Sequence, residues 1–190
     1  MNWWQNTRLP YWTMFAPGDF EQLEVVFRYY LNMVEFANGR TQIYFNHTGI
    51  FFTETKQLFG AFGAGHGDTS KGWPVWLETN DYVHLDYGGN AGGTEVSLMI
   101  LDAYLYTQNA TLLKTYLPIV SLTVDFFRQH YHNRTADGKY VIWPTQALET
   151  YWCAGWDVST TPSRPPANCC VDDMPTVAAL YALTERLLQL

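Results

Sequence analysis

At 190 residues the chain has the length of one ordinary domain, able to bury roughly 70% of the surface its unfolded form exposes. With 47% hydrophobic and only 15% charged residues, it is not a disordered segment. Eleven Lys and Arg against 18 Asp and Glu give a net charge of −7 with no basic run, which excludes nucleic acid and an anionic membrane surface as partners.

No uninterrupted apolar stretch reaches the roughly 18 residues of a membrane-spanning helix. The opening MNWWQNTRLPYW lacks the basic and apolar regions of a signal peptide. Three glycosylation sequons, at Asn46, Asn109 and Asn133, favour a secreted or extracellular setting. Cys153, Cys169 and Cys170 form no C-x-x-C pair, so no zinc site is expected. In an oxidising compartment Cys153 can pair with Cys169 or with Cys170, leaving one thiol over.

In chain order, Asp19 and Gln22 suit a capping box for a helix carrying Leu23, Val26, Tyr30 and Val34, with Gly39 placed to end it. TQIYFNHTGIFF alternates too weakly for a clear strand and reads as a short hairpin or loop. From Phe59 to Gly93 a long Gly- and Trp-rich loop region follows, broken at most by a short helix near 74–79. GGTEVSLMILDAYLYT is a helix apolar on nearly every face. Asn109 suits the N-cap of a short helix to Leu117, and Pro118 the first turn of another reaching about His130. NRTADGK is a turn, and a last helix opens at Asp172-Asp173-Met174-Pro175 and runs through Leu188. That helix stops without a cap or polar tail. The expectation is therefore a fragment of one larger domain, truncated at its C-terminal end and at its N-terminal end.

GAFGAGHGDTSKG does not spell a phosphate-binding loop, and no G-x-S-x-G nucleophile elbow occurs. His130 and His132, two apart at a helix end, diverge and read as surface residues. Three acids remain. Glu149 lies in VIWPTQALETYW among rings, where desolvation raises a carboxyl pKa and suits a general acid. Glu54, in GIFFTETKQLFG, has an aromatic setting with Lys56 near, equally consistent with a structural or a functional role. Glu95 follows Gly92-Gly93 in the first turn of the apolar helix, where it can cap free amides. Gln5, Asn6 and Arg8, flanked by Trp3, Trp4, Tyr11 and Trp12, have the composition of a sugar site; the alternative is that these rings simply pack one helix on another.

Four segments carry a resemblance: QNTRLPYWTMFAPGDFEQLEVVFRYYL, GIFFTETKQLFG, GGTEVSLMILDAYLYTQNATLLKTYLPIVSLTVDFFRQHY and PTQALETYW. In that order they resemble the helical region of six-hairpin glycosidases, most nearly proteins related to family 95 glycoside hydrolases. The resemblance implies an all-α fold, about half of an (α/α)6 toroid. Its P-x-x-x-x-E glutamate, the general acid of those enzymes, corresponds to Glu149. The asparagine of N-T-x-x-x-Y-W, which helps hold substrate and water, corresponds to Asn6. Arg8 and Pro10 depart from the family, which carries further Asn and acid residues there.

The implied chemistry is inverting glycoside hydrolysis by two carboxyls roughly 6.5–9.5 Å apart. Glu149 is the expected acid and Glu54 a second-choice partner, the base otherwise lying in later hairpins. Trp12 and Trp152 would stack on sugar rings, while Gln5, Asn6, Arg8, Glu95 and Gln146 would bind substrate. The expected partners are an oligosaccharide or glycoside and the remaining hairpins of the same domain; no metal or other cofactor is implied. An open half-toroid would expose inner helices such as 94–107, so the fragment alone is expected to be inactive. The alternative is a non-catalytic carbohydrate-binding or scaffold helical domain.

Overall fold

The computed structural model describes residues 2–52, 55–56, 93–143, 145 and 171–190. Within them the chain is mostly helical, in line with the all-α expectation. The helices are α1 (Trp4–Thr13), α2 (Phe20–Leu31), α3 (Val34–Phe45), α4 (Thr94–Thr107), α5 (Ala110–His130) and α6 (Met174–Leu187). Two two-residue strands, β1 (Asn2–Trp3) and β2 (Thr55–Lys56), pair antiparallel with Asn2 opposite Lys56. The long Gly/Trp-rich loop and all three cysteines lie outside the described residues.

The helix that is apolar all round occupies the centre. In α4, Val96, Met99, Ile100, Leu101 and Ala103 are buried, packed mainly by α5 and α6 with α2 alongside. The expectation that 94–107 stands exposed is thus corrected for most of the helix: an apolar helix needs neighbours on several sides, and α2, α5 and α6 supply them up to Ala103, while Tyr106 near its end stays exposed. Leu23, Val26, Phe27 and Tyr30 of α2 and Leu112, Tyr116, Ile119 and Val120 of α5 complete this core. Only Gln108 and Asn109 separate α4 from α5, so the two form a helical hairpin. Gln108, at φ 54, ends α4 in the left-handed conformation, and Asn109 caps α5 by accepting from the amides of Thr111 and Leu112 at 3.0 and 3.1 Å.

Polar ties fix the helices to one another. The Arg186 Nε donates to Asp102 at 2.6 Å, joining α6 to α4, and the Tyr116 hydroxyl donates to Glu24 at 3.1 Å, joining α5 to α2. A smaller aromatic core of Phe51, Phe126, Phe127, Tyr131 and Ile142 gathers at the far end of α5.

Several local expectations change. Asp19 precedes α2, yet its side chain makes no capping bond. The helix predicted to run to Gly39 breaks at Asn32 and Met33. Its continuation, α3, passes through Gly39 to Phe45, where Asn46 at φ 56 closes it. Glycine inside a helix costs only about 1 kcal/mol, which burial of Ala37 and Thr41 on the same helix can outweigh. Residues 41–45, expected as hairpin or loop, therefore belong to α3.

The two helices expected on either side of Pro118 are one, the 21-residue α5. Proline removes one amide donor at a cost of about 3 kcal/mol, but Ile119, Val120, Thr123 and Phe126 beyond it are fully buried. By length and composition α5 is also long and apolar enough to cross a membrane, and in this structure its apolar side packs into both cores. The predicted turn is present, Arg134 bridging Tyr140 and Gly138 taking φ 85. Asp173 caps α6 from its expected start, accepting from the Thr176 amide at 2.9 Å and the Thr145 hydroxyl at 2.5 Å.

Candidate functional site

The strongest polar constellation among the described residues is centred on Glu95. On α1, Trp4, Arg8 and Trp12 recur every four residues and so share one helix face. That face meets the first turn of α4. The Trp4 indole N–H donates to Glu95 Oε2 at 2.9 Å. Glu95 Oε1 accepts from the Arg8 guanidinium at 2.9 Å and from the Trp12 indole at 2.5 Å.

The backbone is shaped to allow this approach. Gly93, at φ 102, starts α4, and a Cβ there would lie 2.7 Å from Thr123 Oγ1 and 3.2 Å from the Phe52 ring. Only glycine brings the start of α4 this close to α5. The β1–β2 pair holds residues 55–56 beside 2–3, immediately before Trp4.

Burial within the cluster is graded. Trp4 is fully buried and meets Tyr30 edge-on at 5.3 Å, while Tyr30 in turn meets Phe52 at 4.7 Å. Burial pushes the Tyr30 hydroxyl well above its ordinary range, with Tyr29, Glu95 and Tyr11 adding to the effect, so it remains a neutral phenol. The Glu95 side chain is 8% exposed and that of Arg8 27%. Trp12 and Tyr11 are half-buried beside them, and Arg8 Nε has no partner among the described residues. The result is a neutralised ion pair, buried at its acid end and open to solvent at the guanidinium and one indole. Such an arrangement can offer a planar face and donor groups to a hydroxyl-rich molecule. Glu95 itself, committed to three donors, is a positioning group.

Of the residues expected at the site, Arg8, Trp12 and Glu95 come together. Gln5 and Asn6 lie on α1, one and two positions past Trp4. Glu54, Gln146, Glu149 and Trp152 lie outside the described residues. The capping role expected of Glu95 is replaced by side-chain donors, since α1 supplies two indoles and a guanidinium that occupy both of its oxygens. Trp4, expected only as a ring flanking the site, is a donor to Glu95, and Tyr30 was expected only as an apolar position of its helix. The fourfold spacing of Trp4, Arg8 and Trp12 is the signal that places the three on one face.

The expectation of surface histidines holds for His132 and is corrected for His130. His130 is half-buried, stacked on Phe126 at 4.9 Å and touching His47 through ring nitrogens 3.1 Å apart. The physical reason is that Phe45 and Phe126 form an aromatic niche at the end of α5. Among the described residues no group of three or more His, Cys, Asp or Glu could hold a metal ion.

No protein-family model, curated protein or solved structure matches the chain.

Proposed function

We propose that the chain is part of a carbohydrate-active helical domain that hydrolyses glycosidic bonds by an inverting, two-carboxylate mechanism. The observation that carries this reading is the convergence of Arg8 and Trp12 on Glu95. It sets a guanidinium and an indole, side by side and partly exposed, at the start of the most deeply buried helix. In this reading Arg8 binds sugar hydroxyls and Trp12 stacks on a ring. Glu149 protonates the leaving oxygen while a second carboxylate activates water on the opposite face. The (α/α)6 toroid, and the contribution of its other hairpins, belong to the same proposal.

The test uses the full-length protein with α-L-fucosides, α-L-rhamnosides and galactosides. Turnover of one of them, reduced by several orders of magnitude in Glu149→Gln with binding retained, supports the reading. Wild-type rates in that variant remove Glu149 from the mechanism.

One observation favours a second reading, a non-catalytic carbohydrate-binding or scaffold domain: Glu95 is committed to holding α1 and has little surface for chemistry. Sugar binding without turnover by the wild-type protein would decide for it.

A further inference from the structure

His47 follows the left-handed end of α3, and His130 closes α5. His47 Nδ1 lies 2.7 Å from the Thr48 carbonyl oxygen, which can only accept, so that nitrogen carries a hydrogen. In the neutral ring, His47 Nε2 is then an acceptor, and the contact at 3.1 Å makes His130 Nδ1 the donor. The tautomers of both rings follow from one carbonyl.

This contact stands at the head of a segment laid directly on α5. A Cβ at Gly49 (φ 107) would lie 2.4 Å from the Phe126 backbone nitrogen, and the Ile50 amide donates to the Leu122 carbonyl at 2.9 Å. The Gln129 side chain donates to the Thr48 hydroxyl at 2.6 Å, and Asn38 Oδ1 accepts from the Gly49 amide at 3.1 Å. Beyond it the chain continues through buried Ile50, Phe51 and Phe52 toward β2.

We propose that the His47–His130 contact is a proton-sensitive latch that fastens residues 46–52 to α5 when both rings are neutral and releases them on acidification. The niche around it is aromatic: Phe45 meets His130 edge-on at 4.6 Å, and Phe126 stacks on it at 4.9 Å. Among the described residues, the charged groups on the neighbouring elements have contacts of their own. Arg40 of α3 lies over the Phe51 ring, and Asp125 and Arg128 of α5 pair with each other at 2.9 Å. Past α5, His132 is exposed and Arg134 donates to the Tyr131 carbonyl. Ahead of α6, Asp172 accepts from the Ile142 amide and Asp173 from Thr145 and Thr176.

One proton on His130 preserves the contact with His47 but places a charge in a buried site. A second proton sets two donors against each other and breaks it. Burial, followed by the charges of His47 and His132, lowers the His130 pKa to about 3 from its usual 6.5. The unfolded or opened chain therefore binds more protons than the closed one between those values. The latch is fully closed above about pH 6.5 and weakens steadily below it.

Hydrogen exchange at the Ile50 amide of the full-length protein, corrected for intrinsic rates, tests this directly. Between pH 7 and 5 its protection is expected to fall roughly twenty-fold relative to amides within α2. In His130→Phe, or in His130→Asn if the first variant does not fold, that extra loss disappears. An Ile50 amide that tracks the α2 amides in the wild type, or an unchanged extra loss in the variant, overturns the proposal.

Discussion

Trp4 and Glu95, 91 positions apart in the chain, meet through one indole hydrogen bond of 2.9 Å that is fully sealed from solvent. It fixes the angle at which α1 lies on α4, and Arg8 and Trp12 depend on that angle for their own contacts with the same carboxylate.

Replacing Glu95 by Gln keeps the shape and removes the charge. The amide offers one acceptor oxygen where the carboxylate offered two, so one indole faces a donor and Arg8 loses its counter-ion. Arg8 is partly solvated, which limits its share. The expected loss is about 2–4 kcal/mol, read as a lower midpoint in urea unfolding. An unchanged midpoint would show that the cluster does not hold α1.

Gly49→Ala should destabilise more than its size suggests. The added methyl would meet the Phe126 backbone at 2.4 Å, in a conformation that alanine rarely adopts. Neither atom belongs to a flexible side chain, so α5 or the 46–52 segment must move. A loss of at least about 2 kcal/mol is expected by chemical denaturation.

Acidification supplies a third expectation. Since His130 is held near 3 in the folded protein, the stability contributed by its neutral form is complete above about pH 6.5 and is lost as pH falls toward 3. The wild-type thermal midpoint should therefore drop more steeply than that of His130→Phe over this window, and parallel curves would contradict it.

Asn109→Ala removes the acceptor for two amides at the start of α5. A loss of about 1 kcal/mol is expected in urea unfolding, with the fold retained by circular dichroism.

The sequence makes the middle of this fold legible and its edges less so. The apolar run of α4, the Asn109 cap and the Asp173 cap are local signals, and each stands where its residues suggest. Asp19 and Gly39 carry equally good local signals that the packing of α2 and α3 overrides. Pro118 does the same in reverse, a helix-starting residue absorbed into a longer helix because its neighbours are buried. At the site, Arg8, Trp12 and Glu95 are recognisable as polar groups in an aromatic setting. Their meeting point is not, since hydrophobic spacing gives no distance between residues 12 and 95. His130 shows the same gap: its neighbour His47 lies 83 positions away.

Gly49 and Gly93 press against Phe126 and Thr123, which stand three residues apart on α5. Three helical residues span about 4.5 Å along the axis. That short length of α5 is a ruler with two notches, each cut for a backbone without a side chain. It sets the spacing between the chain leading to β2 and the start of the helix that bears Glu95. Filling one notch would shift one of these segments and leave the other in place, so the two substitutions should have separable effects on the geometry around Arg8.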